Sequence, residues 1–297
     1  MAHVAFDLDN TLGFFGITNK LGDLWTTQYI TTPEQHNTGA TISKRLEIKL
    51  ARARETFAKS LLKDKDMLFT VLRPNLDALI KPLLDAKHAK KLKTVIIYSN
   101  TGSDYSLELA KYLIETHYKC RGFFSLMANH WHPLRDLDHV DTVLGQYKEP
   151  LKTIQTLQRL FKRATHSQAP VPLSKILFVD DRYVKHDLEK QESEGLTYLV
   201  PTRFVPPAND RQRQHILLLA LYALNEQGLL TSNEYLDSPF CNRDIVYDHT
   251  RKLKIRGFGD LLDYVKMQIF GEERPDKKWR SDTPRLLSAM NKFLHQI

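Results

Sequence analysis

Short apolar runs separated by stretches of helical periodicity constrain this chain more than any other feature. "HVAFDL", "TVIIYSN", "GFFSLMA" and "KILFVDD" carry β-branched and aromatic residues, end in polar ones and read as strands; "LTYLVP" adds a fifth. Between them the period changes. Over Ser43 to Leu62 the residues Ile42, Leu46, Leu50, Ala53, Phe57 and Leu61 recur at three- and four-residue steps and line one helix face. "LRPNLDALIKPLLDAKHAKKLK" reads as a turn at Arg73-Pro74 and then a helix. "TGSDYSLELAKYLIETHY" is helical through Leu107, Ala110, Leu113 and Ile114, and "EPLKTIQTLQRLFKRA" is helical with Pro150 suited to its first turn. Strands alternating with helices predict an α/β domain, a Rossmann-like, mainly parallel sheet with helices on both faces. The expected domain spans 1–205, and 13–73 is a flap, small cap or basic docking insertion within it. "RFVPPANDRQRQ" reads as the boundary. Residues 206–297 are then predicted as a helical C-terminal extension.

Composition narrows the class. With 42% hydrophobic and 26% charged residues the chain is an ordinary soluble globular protein, and no uncharged apolar run approaches the roughly 18 residues of a membrane span. No basic leader followed by an apolar core opens the chain, and Cys120 and Cys241 have neither metal-ligand spacing nor a disulfide framework. An intracellular, reducing compartment, cytoplasmic or nuclear, is the expectation. The net charge of +8 is concentrated between Thr41 and Lys93, where 14 Lys/Arg face 6 Asp/Glu, so the remainder is balanced. This 41–93 region suits nucleic acid, phosphoprotein or acidic peptide, or is simply a solvated helix face. The same bland reading holds for "RKLKIRGF", where nearby aspartates dilute the basic residues. His130 and His132 of "NHWH" share one side of an extended segment but have no third ligand at a diagnostic spacing.

The strand ends carry the chemistry. Asp7 and Asp9 follow the first strand, Ser99 and Asn100 the second, Asp180 and Asp181 a later one. In open α/β sheets the ligand site lies beyond the carboxyl ends of the strands, so the three clusters converge on one crevice. Four carboxylates there need a counter-charge, and oxygen-only ligands suit a hard divalent ion, Mg²⁺. A carboxylate can attack phosphorus, and a second one two residues on can protonate the leaving group and then activate water. A hydroxyl and a lysine can bind the phosphoryl oxygens and offset charge in the transition state.

This pattern resembles the haloacid dehalogenase (HAD) superfamily of phosphotransferases, with "FDLDNTLG", "VIIYSNTG", "YKEPLKTI" and "ILFVDDR" as its four motifs, over residues 1–205. The resemblance implies Asp7 as the nucleophile that forms an aspartyl-phosphate and Asp9 as general acid/base. Thr11, Ser99 and Asn100 would bind the substrate phosphate, and Lys148 would neutralise it. Asp7, Asp9 (through its carbonyl), Asp180 and Asp181 would hold Mg²⁺. Lys152 and Lys175 are rivals to Lys148, which is preferred because "KEP" before a helix resembles the family's Lys-Pro opening, with the Pro displaced by one residue. "LRPNLDALI" resembles the Arg-Pro helix opening of the phosphatases acting on the C-terminal domain of RNA polymerase II and their small relatives, the NLI-interacting factor-like branch. Those act on phosphoserine in proteins. The implied function is a Mg²⁺-dependent phosphoprotein phosphatase. The alternatives are phosphatase action on a small molecule, a nucleotide or a nucleic-acid end, and a catalytically weak binding scaffold.

Overall fold

The computed structural model describes residues 1–16, 43–135, 152–181, 195–204, 210–236 and 282–296. In chain order these hold β1 (Ala2–Phe6), α1 (Lys44–Lys63), α2 (Lys65–Val71), α3 (Asp77–His88), β2 (Leu92–Tyr98), α4 (Asp104–His117), β3 (Phe124–Ala128), α5 (Ile154–Thr165), β4 (Ile176–Val179), β5 (Thr197–Leu199), α6 (Asp210–Glu226), α7 (Asn233–Leu236) and α8 (Thr283–His295). Every apolar run named above becomes a strand. They form one five-stranded sheet of order β3-β2-β1-β4-β5. All neighbours pair parallel, where a mainly parallel sheet was expected.

A parallel sheet must be covered on both faces, and the strand residues obey this. Ala5, Ile96, Tyr98, Ile176 and Phe178 form one buried cluster with Leu157, Leu160 and Phe161 of α5. The alternate set, Val4, Phe6, Val95, Ile97, Leu177 and Val179, is equally buried. The helices α3 and α8 pack on each other, touch β2 and β5 respectively, and contribute nothing to the α5 cluster; the second face is theirs.

The start of α5 corrects the sequence reading. Pro150 was expected in its first turn, but the helix begins at Ile154 because Thr153 caps it, its hydroxyl accepting from the Thr156 amide at 3.2 Å. Pro150 lies outside the described residues. The helix stops at His166, which takes the left-handed conformation (φ 52°) that ends many helices.

The chain divides into two compact units, and not at residue 205. One combines Met1–Phe14, Leu72–Val205 and Asp276–Ile297; the other combines Phe15–Val71 and Pro206–Pro275. The last helix therefore belongs with the sheet and not with a single extension over 206–297. Its Leu286, Met290 and Phe293 are buried, and Asp282 before it accepts from the Thr202 amide at 2.6 Å. The second unit is helical. In it α1 packs on α2 and α6 through Leu46, Leu50, Ala53, Phe57 and Leu61, the predicted stripe, with Ser43 capping at 3.1 Å from the Leu46 amide. Ile42 and residues 237–281 of the predicted helical extension lie outside the described residues. Among the described residues no helix is long and apolar enough to cross a membrane.

Candidate active site

The β1–β4 register builds the site. Phe6 pairs with Val179, and the ladder runs one residue further: the Asp7 amide donates to the Val179 carbonyl at 2.8 Å, and the Asp180 amide to the Leu199 carbonyl at 3.2 Å. Asp7 and Asp180 thus leave adjacent strands side by side. Here the strand order reverses, with β2 on one side of β1 and β4 on the other, so the crevice at the carboxyl end is the place where such sheets bind ligands.

The chain then turns sharply. Leu8 and Leu12 are fully buried, Asn10 takes φ 60°, a conformation asparagine tolerates better than most residues, and the Leu12 amide donates to the Leu8 carbonyl at 3.0 Å. This brings Thr11 back to the strand ends, where its hydroxyl accepts from the Asp181 amide at 2.9 Å. Leucines at positions 8 and 12 anchor the turn, which aims the polar residues between them.

Lys152 closes the charge balance. Its ammonium donates to Asp7 Oδ1 at 2.5 Å and to Asp180 Oδ2 at 2.7 Å, and all three residues are less than a tenth exposed. Burial pushes Asp7 above the usual carboxylate range; Lys152 opposes this and Asp180 adds to it. For Lys152 burial works against the charge, but Asp7 and Asp180 outweigh it and hold the ammonium above its ordinary range. Carboxylate oxygens of Asp7, Asp180 and Asp181 lie within 4.8 Å of one another, so this acidic triad can hold a metal ion. Three carboxylates and one ammonium leave a net −2, which a divalent cation neutralises, and an all-oxygen donor set suits a hard ion.

The neighbouring strand end is different in kind. Ser99 continues β2, its amide donating to the Ala128 carbonyl at 2.9 Å, and its hydroxyl accepts from the Thr101 amide at 3.2 Å. Arg135, a residue the sequence reading did not single out, holds this end. Its buried guanidinium donates to the Ser99 carbonyl at 2.6 Å, the Asn129 carbonyl at 3.1 Å and Asn100 Oδ1 at 2.5 Å, and it lies 4.9 Å over the Tyr98 ring. Burial draws Arg135 below the usual arginine range, while Tyr98 and then Asp7 act to hold it up, so it shares the electrostatic environment of the crevice.

Of the residues expected in the site, Asp7, Thr11, Asp180 and Asp181 come together. Ser99 and Asn100 sit at the adjoining strand end under Arg135. Asp9 lies on the turn, bridged to Gly13, and its carboxylate is not part of the triad. Lys148 lies outside the described residues. Lys175 directly precedes β4, at the amino end of the sheet, and is no rival. The lysine at the carboxylates is Lys152; a lysine directly before a Thr N-cap was the sequence signal, and "KEP" drew attention four residues too early. Of the two histidines of "NHWH", His130 lies tilted against Trp131 with ring centroids 4.3 Å apart, and His132 Nδ1 accepts from the Leu134 amide at 3.2 Å. Against protein-family models, curated proteins and solved structures, the chain finds no match.

Proposed function

We propose that this chain is a metal-dependent phosphomonoester hydrolase of the HAD type that works through an aspartyl-phosphate on Asp7, with a phosphoprotein as substrate. The observation that carries this reading is the buried Asp7–Lys152–Asp180 bridge at the strand-order reversal, with Asp181 completing a triad of oxygen donors. An ion pair this deep costs several kcal/mol in desolvation and is weak as a stability device, which favours a chemical use for it.

In the first half of the proposed reaction Asp7 Oδ attacks phosphorus and the ester P–O bond breaks. The leaving oxygen takes its proton from Asp9, two residues on and at the edge of the turn. In the second half a water gives its proton to Asp9 and attacks the same phosphorus. The bond from phosphorus to Asp7 breaks and inorganic phosphate departs. Lys152 offsets negative charge on the transferring group and opposes the burial that favours the neutral acid at Asp7. Ser99, Asn100 and Thr11 line the phosphoryl position, and Arg135 fixes the first two. A divalent cation held by Asp7, Asp180 and Asp181, Mg²⁺ in this proposal, would supply further charge neutralisation to the phosphoryl oxygens.

The test is hydrolysis of an aryl phosphate with Mg²⁺ and with chelator, for the wild type and for Asp7→Asn. Metal-dependent turnover that vanishes in the variant is expected. Undiminished turnover in a folded Asp7→Asn protein rejects Asp7 as nucleophile.

A further inference from the structure

The excess charge of residues 41–93 collects on one helix. Arg73 is buried, Lys81 is paired with Asp77, and Lys87 donates to the Gly122 and Phe123 carbonyls. On α1, by contrast, seven Lys/Arg stand against two Glu. The apolar residues of this helix, at 46, 50, 53, 57 and 61, are buried where it packs on α2 and α6. About a third of a turn away runs a second stripe. Arg45, Lys49, Arg52, Thr56, Lys59 and Lys63 recur at steps of four and three residues, so all of its stations but Thr56 are cationic. Arg45, Arg52, Lys59 and Lys63 are exposed, and Lys49 is partly so. Lys59 is tied to Glu55 at 2.7 Å; Arg45, Lys49, Arg52 and Lys63 make no ion pair among the described residues. The stripe is about 27 Å long at ~1.5 Å per residue.

Local physics does not favour this pattern. Like charges three and four residues apart repel along a helix, and Arg45 in the first turn opposes the helix dipole. Of the stripe, Lys63 in the last turn is the residue placed as the dipole prefers. A row of cations that costs the helix stability points to an anion outside it.

The shape of the row selects the anion. Peptides are captured by an apolar face or a strand edge. The apolar face of α1 is buried within its unit, and Ile48 is its one exposed large apolar residue. An anionic membrane surface would need the same face free. A single strand would need rings on which to stack its bases, and the one aromatic residue of α1, Phe57, is buried. A duplex needs neither. Each of its strands carries a phosphate every ~3.4 Å of axis, so a straight row of cations meets it in any register. The major groove of B-form DNA admits a helix, and the deep, narrow groove of A-form RNA does not.

We propose that the exposed basic stripe of α1 is a docking surface for double-stranded DNA, held through phosphates and without sequence preference. It stands independently of the phosphatase reading and of the Asp7 crevice.

The test is the anisotropy of a fluorescein-labelled DNA duplex of about 20 base pairs, titrated with the full chain between about 50 and 200 mM NaCl. Neutralising four to five phosphates, log K should fall with log salt at a slope of roughly −4. Arg45→Gln/Arg52→Gln should reduce the slope by about 2 and weaken binding about ten-fold or more at the low-salt end. Arg54→Gln/Lys91→Gln removes the same charge elsewhere: Arg54 lies on the opposite side of α1 from Arg45, and Lys91 is an exposed residue of the other unit. That variant should keep the duplex affinity within about two-fold. Equal losses in the two variants would mean that net charge and not the stripe binds, and would overturn the proposal. So would a slope near zero, or tighter binding of an RNA duplex, a single-stranded oligonucleotide, a polyglutamate peptide or anionic vesicles.

Discussion

The crevice beside β1 and the surface of α1 hold charges under opposite conditions. In the crevice Lys152 meets Asp7 at 2.5 Å and Asp180 at 2.7 Å, with side chains 2–9% exposed. On α1, Lys59 meets Glu55 at 2.7 Å, each 56% exposed. The distances are nearly equal, and the energies are not. Water screens the surface pair to a few tenths of a kcal/mol, whereas the crevice charges interact at low effective dielectric and are costly to separate. The region that dominates the net charge of the sequence is therefore not the one in which charge is most strongly coupled. Burial decides, and a count of charges does not register burial.

The sharpest way to break this contrast is Lys152→Met. It leaves two buried carboxylates facing each other, and a loss of about 3–5 kcal/mol in urea unfolding is expected, together with loss of aryl phosphate hydrolysis. Adding Asp7→Asn to that variant removes one of the two charges and should restore part of the stability but none of the activity. A surface-like loss below about 1 kcal/mol for Lys152→Met would place the crevice in the same class as α1.

A buried group without an ion pair sharpens the comparison next. His3 packs edge-on against Phe161 at 5.3 Å, and among the described residues its Nδ1 finds no hydrogen-bond partner. Burial, with Lys93 and the amino terminus adding to it, pulls its pKa from 6.5 to about 4. The unfolded chain then binds a proton that the folded one refuses. The stabilisation is full above pH 6.5 and is lost as pH falls from 6.5 toward 4, about 3 kcal/mol in all. Urea midpoints across that range should fall for the wild type and flatten for His3→Phe; parallel curves would contradict the assignment.

Arg135→Lys is smaller and more specific. It keeps a charge but loses the fork that spans the Ser99 and Asn129 carbonyls and Asn100 Oδ1. A cost of about 1–3 kcal/mol is expected, with a KM for aryl phosphate raised more than kcat is lowered. At the far end of the scale Glu55→Ala on α1 should change stability by no more than about 0.5 kcal/mol and leave turnover untouched.

Some of this molecule was legible along one dimension. The strands follow from local runs of β-branched and aromatic residues, and α1 from its three- and four-residue steps. Asp7, Ser99 and Asp180 were placed at strand ends because a strand end is a local event. Parallel pairing then gathers such ends on one edge of the sheet whatever the rest of the chain does. The lysine was not local. Lys152 reaches Asp7 across 145 residues of sequence, through a helix whose start was set by the Thr153 cap and not by the proline that looked like its opening. Arg135 was invisible for the same reason: its partners on β2 and in the segment after β3 are neighbours only once the sheet has formed. The division of the chain into units was likewise a tertiary outcome. Amphipathic helices at 44–63, 210–226 and 283–295 each need an apolar surface to cover, and their own sequence does not say which one. The fold gave α1 and α6 to each other and α8 to α3 and the sheet. Periodicity determines that a face must be buried, and only the packed structure determines against what.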